Sequence, residues 1–349
     1  MFLKKNAIQL ILFISLNGFI PILSLAQDDA KSYLKQGRAL LGQRKFAEAE
    51  LFFEKADKFG EGEGTYFLGL LHYYGWGKPR NYSQAIQSFA KASQRGYKMA
   101  DYRLGQCYNA GFGVEVDKAK ASQLFQESAS VLKQLANEGD TEAMTNLGRM
   151  LHRGQGCPKN IQEAIIWMNK AAEAGHFLAQ NSLGEMYRNG DGIEKNYNTA
   201  VYWYTQAANV GYPIALYNLG ECYEEGLGVA ADSPTAVKYY LAAAEQGYEV
   251  AQNALGVAYE IGEGVGVDYK KAFEWYKKAA QNDYETAQFN LGNMFRYGRG
   301  TPKDLKQMLF WFTKAAEAGY EDAQVQIGHL YANGEGVPRD YDEAEQWFK

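Results

Sequence analysis

The chain has 349 residues, of which 46% are hydrophobic and 22% charged, an ordinary globular composition that excludes a wholly disordered protein. A formal charge of −5 gives no basis for a nucleic-acid footprint, because neutralising phosphates needs a basic face, and no nucleic-acid partner is expected. Length alone suggests about two domains, but an internal period replaces that expectation with one repeating stack.

The first 26 residues differ in kind from the rest. Lys4 and Lys5 form a short basic stretch, and an apolar run extends from Ala7 to about Leu25. Ser24-Leu25-Ala26 then places small residues where a signal peptidase cleaves, ahead of polar Gln27-Asp28-Asp29. The pattern reads as a Sec-type signal peptide over 1–26. A run of this length also suffices for a retained membrane anchor, but Asn17, Pro21 and the cleavage motif favour removal. The expectation is export to the periplasm or the extracellular space, with no membrane insertion after cleavage. Residues 27–64 follow as a helical hairpin, expected to cap the stack; in it Gly37, Ala49, Phe53 and Ala56 match the spacing of a plain tetratricopeptide repeat.

From residue 65 onward a Leu-Gly pair recurs: Leu68-Gly69, Leu104-Gly105, Leu147-Gly148, Leu183-Gly184, Leu219-Gly220, Leu255-Gly256 and Leu291-Gly292, then Ile327-Gly328. The glycines define units of 36 residues, with one unit of 43. Eight units result: 65–100, 101–143, 144–179, 180–215, 216–251, 252–287, 288–323 and 324–349. Each reads as two helices. In 180–215, Ala179, Leu183 and Tyr187 make one apolar stripe at helical spacing, helix A. Gly184 sits on a neighbouring face where a missing side chain lets another helix approach. Gly190-Asp191-Gly192 stops helix A, and helix B carries Ala200, Trp203, Tyr204, Ala207 and Ala208.

Twelve residues after each Leu-Gly glycine stands Asn81, Asp117, Asn160, Asn196, Asp232, Asp268, Asp304 or Asp340. These side chains accept hydrogen bonds from first-turn N–H groups, so each predicts the start of a helix B. Glu163 and Glu343 stand three residues on, where a carboxylate can reach back as in a capping box.

With these motifs in place, the sequence resembles the Sel1-like repeat family, relatives of the tetratricopeptide repeat. Units 252–287 and 288–323 follow its pattern of Ala, Leu-Gly, Tyr or Phe, Gly-x-Gly, Asp, then Trp-[Phe/Tyr]-x-Lys-Ala-Ala. The departures are Met308, Asp283, Ser88 and Leu124. The resemblance implies an all-α fold, an α/α solenoid forming a right-handed superhelix of helix–turn–helix repeats, with helix A lining a concave groove.

Two irregularities stand out. The 43-residue unit holds seven extra residues within Ser128–Gly139, about two helical turns, which keep an apolar face in phase. Helix B there is expected to project roughly 10 Å beyond its neighbours, as a tolerated extension or a protruding edge for a partner. The last unit stops at Trp347-Phe348-Lys349, aligned with Trp311-Phe312-Thr313, which suggests a fragment or an end covered by a partner.

No catalytic set assembles, and no cofactor is called for. The Gly-x-Gly tripeptides lie between helices without a preceding strand or the third glycine of a dinucleotide fingerprint. Ser32-x-x-Lys35 and Ser130-x-x-Lys133 match one motif of penicillin-recognising enzymes but lack its partner motifs. His72, His152, His176 and His329 are scattered, so a built-in metal site is not expected. Trp167, Trp203, Trp275, Trp311 and Trp347 share one repeat position and read as core. Cys107, Cys157 and Cys222 are expected to be free, with Cys107–Cys157 the one possible pair between neighbouring units.

What remains for recognition is helix A. Asn181 and Asn253 lie three positions before the Leu-Gly glycine, and Asn146, Asn218 and Asn290 two before it. Their amides suit a ladder that holds an extended peptide. Arg149, Glu185 and Glu221, with His152, Arg188, Glu224, Glu260 and Arg296, add a charged strip that turns acidic around Glu221–Glu260. The expected function is an exported scaffold or adaptor that binds a protein or peptide in the concave groove. The alternatives are an enzyme acting on cell-wall or β-lactam substrates and a secreted, host-directed effector.

Overall fold

The computed structural model describes residues 29–349; the signal-peptide expectation falls on 1–26, outside them. All regular secondary structure among the described residues is helical. The described part of α1 covers 29–42, and it is followed by α2 (Phe46–Lys58), α3 (Gly62–Tyr74), α4 (Tyr82–Gln94), α5 (Met99–Ala110), α6 (Lys118–Asn137), α7 (Thr141–Arg153) and α8 (Ile161–Glu173). The order continues with α9 (Phe177–Asn189), α10 (Tyr197–Asn209), α11 (Pro213–Glu225), α12 (Ser233–Ala244), α13 (Glu249–Ile261) and α14 (Tyr269–Gln281). It closes with α15 (Glu285–Tyr297), α16 (Leu305–Glu317), α17 (Glu321–Asn333) and α18 (Tyr341–Phe348). The fold is an all-α solenoid of helical hairpins. Two compact units divide within α8, one ending at Trp167 and the other running from Met168 to Lys349. Each helix A begins two or three residues ahead of the unit boundary drawn from the sequence, for example at Phe177 rather than residue 180.

Three glycine contacts and one cap set the geometry of a repeat. The Leu-Gly glycine is a notch: a Cβ on Gly184 would lie 2.5 Å from the Tyr204 ring, and one on Gly220 2.5 Å from Tyr240. Gly69, Gly105, Gly256, Gly292 and Gly328 meet Phe89, Phe125, Tyr276, Phe312 and Phe348 in the same way. In the N-terminal hairpin, Gly37 meets Phe53. The aromatic in the notch is the residue after the Trp position. Tyr204, Tyr276 and Phe312 are fully buried, whereas Trp203, Trp275 and Trp311 are only half-buried. Trp311 packs instead on the core of the preceding layer, around Tyr276 and Leu291. The Trp series is thus inter-repeat packing, and the deepest core residue is its neighbour.

The Gly-x-Gly turn does two jobs. Its first glycine ends helix A in the left-handed region, as at Gly190 (φ 75°). Its second glycine rests on the start of the preceding helix B: a Cβ on Gly228 would lie 2.5 Å from the Tyr197 carbonyl, and one on Gly264 2.4 Å from that of Ser233. The middle residue then meets the first residue of that helix. Trp76 stacks on Phe46 (5.7 Å between centroids), Phe112 on Tyr82 (4.7 Å), the Ser233 hydroxyl donates to Glu263 (3.3 Å), and Arg299 covers Tyr269 (5.6 Å).

All eight Asn and Asp caps act as the sequence expects. Each side chain accepts from first-turn backbone N–H groups, Asn196 from Thr199 at 3.0 Å and Asn160 from Glu163 at 3.1 Å. The capping-box expectation needs correction. The cap's own N–H is donated to helix A, Asn160 to Leu151 O (2.9 Å) and Asp340 to Tyr331 O (2.9 Å), so it does not await Glu163 or Glu343. Glu163 accepts from the Asn160 side-chain amide instead (3.2 Å). Helix B is therefore tied at its first residue to helix A of the same repeat.

The seven extra residues lengthen α6 to 20 residues, as expected, but their effect is a step rather than a projecting end. Leu132 and Ala136 in the C-terminal half are buried. Gly113 rests on Tyr82, one residue after the Asn81 cap, whereas Gly156 rests on Phe125, eight residues after the Asp117 cap. The following repeat thus docks two turns further along, about 10 Å at 1.5 Å per residue. The first turn of α6, Lys118–Lys120, is left exposed.

Candidate functional site

The Asn positions on helix A prove to face one another across repeats. The Asn218 amide donates to Asn181 Oδ1 at 3.0 Å, and Asn290 donates to Asn253 Oδ1 at 3.0 Å. Asn181 also donates to Glu185 (2.8 Å). Position three before the glycine in one unit thus meets position two before it in the next, a separation of 37 residues. Asn146, Asn181 and Asn218 are buried, and Asn253 and Asn290 half-buried. The expectation that these amides line up to grip a peptide is corrected for the buried three. Asn181 and Asn218 spend a hydrogen bond on each other, and burial denies a ligand access to all three. Asn146 is fully buried with neither amide atom hydrogen-bonded among the described residues. In the preceding unit the position three before the glycine is Tyr102 rather than Asn, and its hydroxyl accepts from Gln106 (3.0 Å).

The charged positions separate by unit. Arg149 lies half-buried on α7 of the first unit. In the second unit, Glu185 and Glu224 are exposed, while Arg188 and Glu221 are half-buried. Arg188 pairs with Glu221 at 2.6 Å, and Tyr217 donates to the same carboxylate at 2.8 Å. Burial opposes the Arg188 charge, but the hydrogen bond and charge of Glu221 carry its pKa above the ordinary value. Glu224 accepts from the Tyr240 hydroxyl (2.7 Å) and Glu260 from that of Tyr276 (2.9 Å). In both repeats the tyrosine that fills the glycine notch delivers its hydroxyl to the carboxylate four residues after that glycine, one turn along the same helix A. Burial, with Glu263, Glu221 and Glu225 nearby, holds the Glu224 carboxyl above its usual range despite the Tyr240 bond. Arg299 bonds Glu260 (2.8 Å), and Arg296 forks onto Glu335 (2.7 and 3.1 Å).

Two sets of residues escaped the sequence reading. Arg103 occupies the position that holds Asn in units three, five and seven, and it is 1% exposed. It binds Glu142 (3.2 Å), the Tyr66 and Tyr74 hydroxyls (3.2 and 3.1 Å) and Gln106 (3.0 Å), a satisfied buried ion pair joining α3, α5 and α7. The signal was a charge at a position where its equivalents are amides. Gln180, Gln252, Gln288 and Gln324 recur four positions before the glycine. Each donates to a carbonyl near the end of the preceding helix B, Gln180 to Ala172 O at 3.1 Å. Each of these carbonyls also accepts a backbone N–H three residues on, Ala172 O from Gly175 at 3.0 Å, so the glutamine adds a second bond that ties helix A to the end of the preceding helix B.

The Ser-x-x-Lys pairs lie on exposed helix surface. Ser32 accepts from Gln36 at 3.1 Å, and Lys133 lies 3.9 Å from Glu163. All three cysteines are free thiols. Burial pushes the Cys107 thiol up to about 12 and that of Cys222 to about 11. Among the described residues no group of three or more His, Cys, Asp or Glu could hold a metal, and no helix is long and apolar enough to cross a membrane.

The family description "Sel1 repeat" matches residues 62–97, 98–130, 141–176, 178–212, 213–248, 250–284, 286–320 and 321–349. Among solved structures, a Sel1 repeat protein from Oxalobacter formigenes is similar at 33% identity and a TM-score of 0.62, covering 70% of this chain and 96% of that one. A protective antigen present in uropathogenic Escherichia coli strains, displaying an SLR fold, is similar at 32% identity and a TM-score of 0.55. That match covers 85% of this chain and 62% of the antigen, so the chain spans less than two thirds of its length. No protein of curated function matches.

Proposed function

The chain belongs to the Sel1 repeat family, and we propose that it is an exported adaptor that binds a protein or peptide on the helix-A face of its repeats. Sel1 repeat proteins are generally protein-interaction scaffolds, and they are typically non-enzymatic. The observation that carries the reading is the division of labour within each repeat. Glycine notches, caps and paired amides are consumed in holding the stack, while Glu185 and Glu224 keep their carboxylates exposed on α9 and α11, where they accept from Asn181 (2.8 Å) and Tyr240 (2.7 Å). Export is supported by the apolar segment ending Ser24-Leu25-Ala26. Since fold alone does not fix function, the site has to be tested directly.

The test is crosslinking capture from the native envelope fraction, with wild type beside Glu185→Lys/Glu224→Lys. A partner lost in the variant at unchanged helicity supports the reading. A partner retained by both removes the strip from the binding surface, and no captured partner overturns the adaptor. A second reading, secretion toward a host, is favoured by the similarity to a protective antigen. It predicts the protein in culture supernatant rather than in the periplasmic fraction.

A further inference from the structure

Scattered exposed apolar side chains are normal on a soluble surface, but adjoining ones are informative. On α13, Val257 and Ile261 are one turn apart and 37% and 61% exposed, and Tyr297 at the end of α15 is 59% exposed. Ile261 follows Glu260, whose carboxylate holds Arg299 at 2.8 Å, and that guanidinium lies 5.3 Å from the Tyr297 ring centroid. Ile261 and Tyr297 each stand five residues after a Leu-Gly glycine, Gly256 and Gly292, so with Val257 they form one ridge on the same face of helix A in successive repeats.

Its flank is acidic beyond what the protein itself neutralises. Glu221 is paired with Arg188 and Glu260 with Arg299. Three carboxylates remain. Glu224 has the Tyr240 hydroxyl, Glu263 the Ser233 hydroxyl, and Glu225 stands 52% exposed at 3.8 Å from an Arg188 already bound to Glu221. Glu224 feels Glu263 and Glu225 as like charges, so the three belong to one field.

We propose that the Val257–Ile261–Tyr297 ridge, with Glu224, Glu225 and Glu263 beside it, docks a basic, apolar segment of a partner protein. Apolar side chains of the segment cover the ridge, and its Lys or Arg side chains pair with Glu224 and Glu263, which accept from neutral hydroxyls, and with Glu225, which shares Arg188 with Glu221. The assignment rests on the adaptor reading and adds the chemistry of what is bound.

The probe is a fluorescein-labelled synthetic peptide of alternating Lys and Leu, with a Glu-for-Lys twin, titrated by fluorescence polarisation. The wild-type chain should bind the basic peptide and not the twin. Ile261→Ser/Tyr297→Ser and Glu224→Gln/Glu263→Gln should each weaken binding about tenfold or more, a size expected when a desolvated contact or charge pair is removed. Glu54→Gln/Glu127→Gln removes the same charge from the first unit and should leave affinity unchanged, with helicity constant throughout. The assignment is overturned if wild type fails to bind, if the ridge variants bind as wild type does, or if the Glu54/Glu127 variant loses as much. Any of these leaves the adaptor reading to stand on crosslinking capture, which uses no peptide probe.

Discussion

Adding one methyl group at Gly256 tests the notch that sets the spacing of helices A and B. A Cβ there would lie 2.4 Å from both Cδ1 and Cε1 of Tyr276 and 3.0 Å from Cγ, whereas carbon atoms prefer about 3.5–4.0 Å. Tyr276 is 1% exposed and its hydroxyl is tied to Glu260 at 2.9 Å, so the ring has little freedom to retreat. Overpacking of this kind costs about 1–3 kcal/mol, and replacing a mid-helix glycine with alanine returns about 1 kcal/mol. The expected net loss for Gly256→Ala is up to about 2 kcal/mol, read as a lower urea midpoint by far-UV circular dichroism at unchanged slope. Gly266 is the control, because a Cβ there meets nothing within 4 Å and its φ is not positive. Gly266→Ala should be neutral or stabilise by up to about 1 kcal/mol through the unfolded state. If Gly256→Ala stabilises as the control does, the Tyr276 ring yields to the added methyl, and the notch does not fix the helix spacing.

The buried amides predict opposite signs. Asn218→Leu strands the Asn181 carbonyl and should cost about 1–3 kcal/mol, whereas Asn146→Leu removes two polar atoms without partners among the described residues and should stabilise; paired denaturation curves decide. Asp283 holds φ 58° where other repeats end helix B on glycine, so Asp283→Gly should raise stability by about 0.5–1 kcal/mol in the same assay. Burial raises the Asp57 carboxyl, but hydrogen bonds from Lys91 and Thr65 and the charge of Arg95 hold it below its ordinary value. Its contribution is therefore complete above about pH 4, the unfolded value, and is lost as pH falls through the folded one. Asp57→Asn should flatten the acid limb of the stability curve, and an unchanged limb refutes the assignment. Thiol labelling of the native chain should modify half-buried Cys157 first and fully buried Cys107 and Cys222 only on opening.

Sequence alone determined what is local. A glycine that ends a helix, an Asn or Asp that starts one and an apolar stripe at helical spacing each act within a few residues, and eight repetitions of the same pattern made the two-helix unit and its family resemblance unmistakable. Tertiary structure decided everything that depends on the stacking register. Asn218 meets Asn181 and Arg103 meets Tyr66 at a separation of 37 residues, and no local preference says which face of one helix A lies against the next. Packing within each hairpin sent the cap N–H groups to helix A and placed the residue after the Trp in the glycine notch, and stacking between repeats turned a seven-residue insertion into a two-turn step at Phe125. No sequence feature sets Ile261 and Tyr297 apart from the other apolar residues of their repeats. Only the packed repeats leave them uncovered beside the carboxylates, because exposure is what remains after neighbouring units have buried their shared surface.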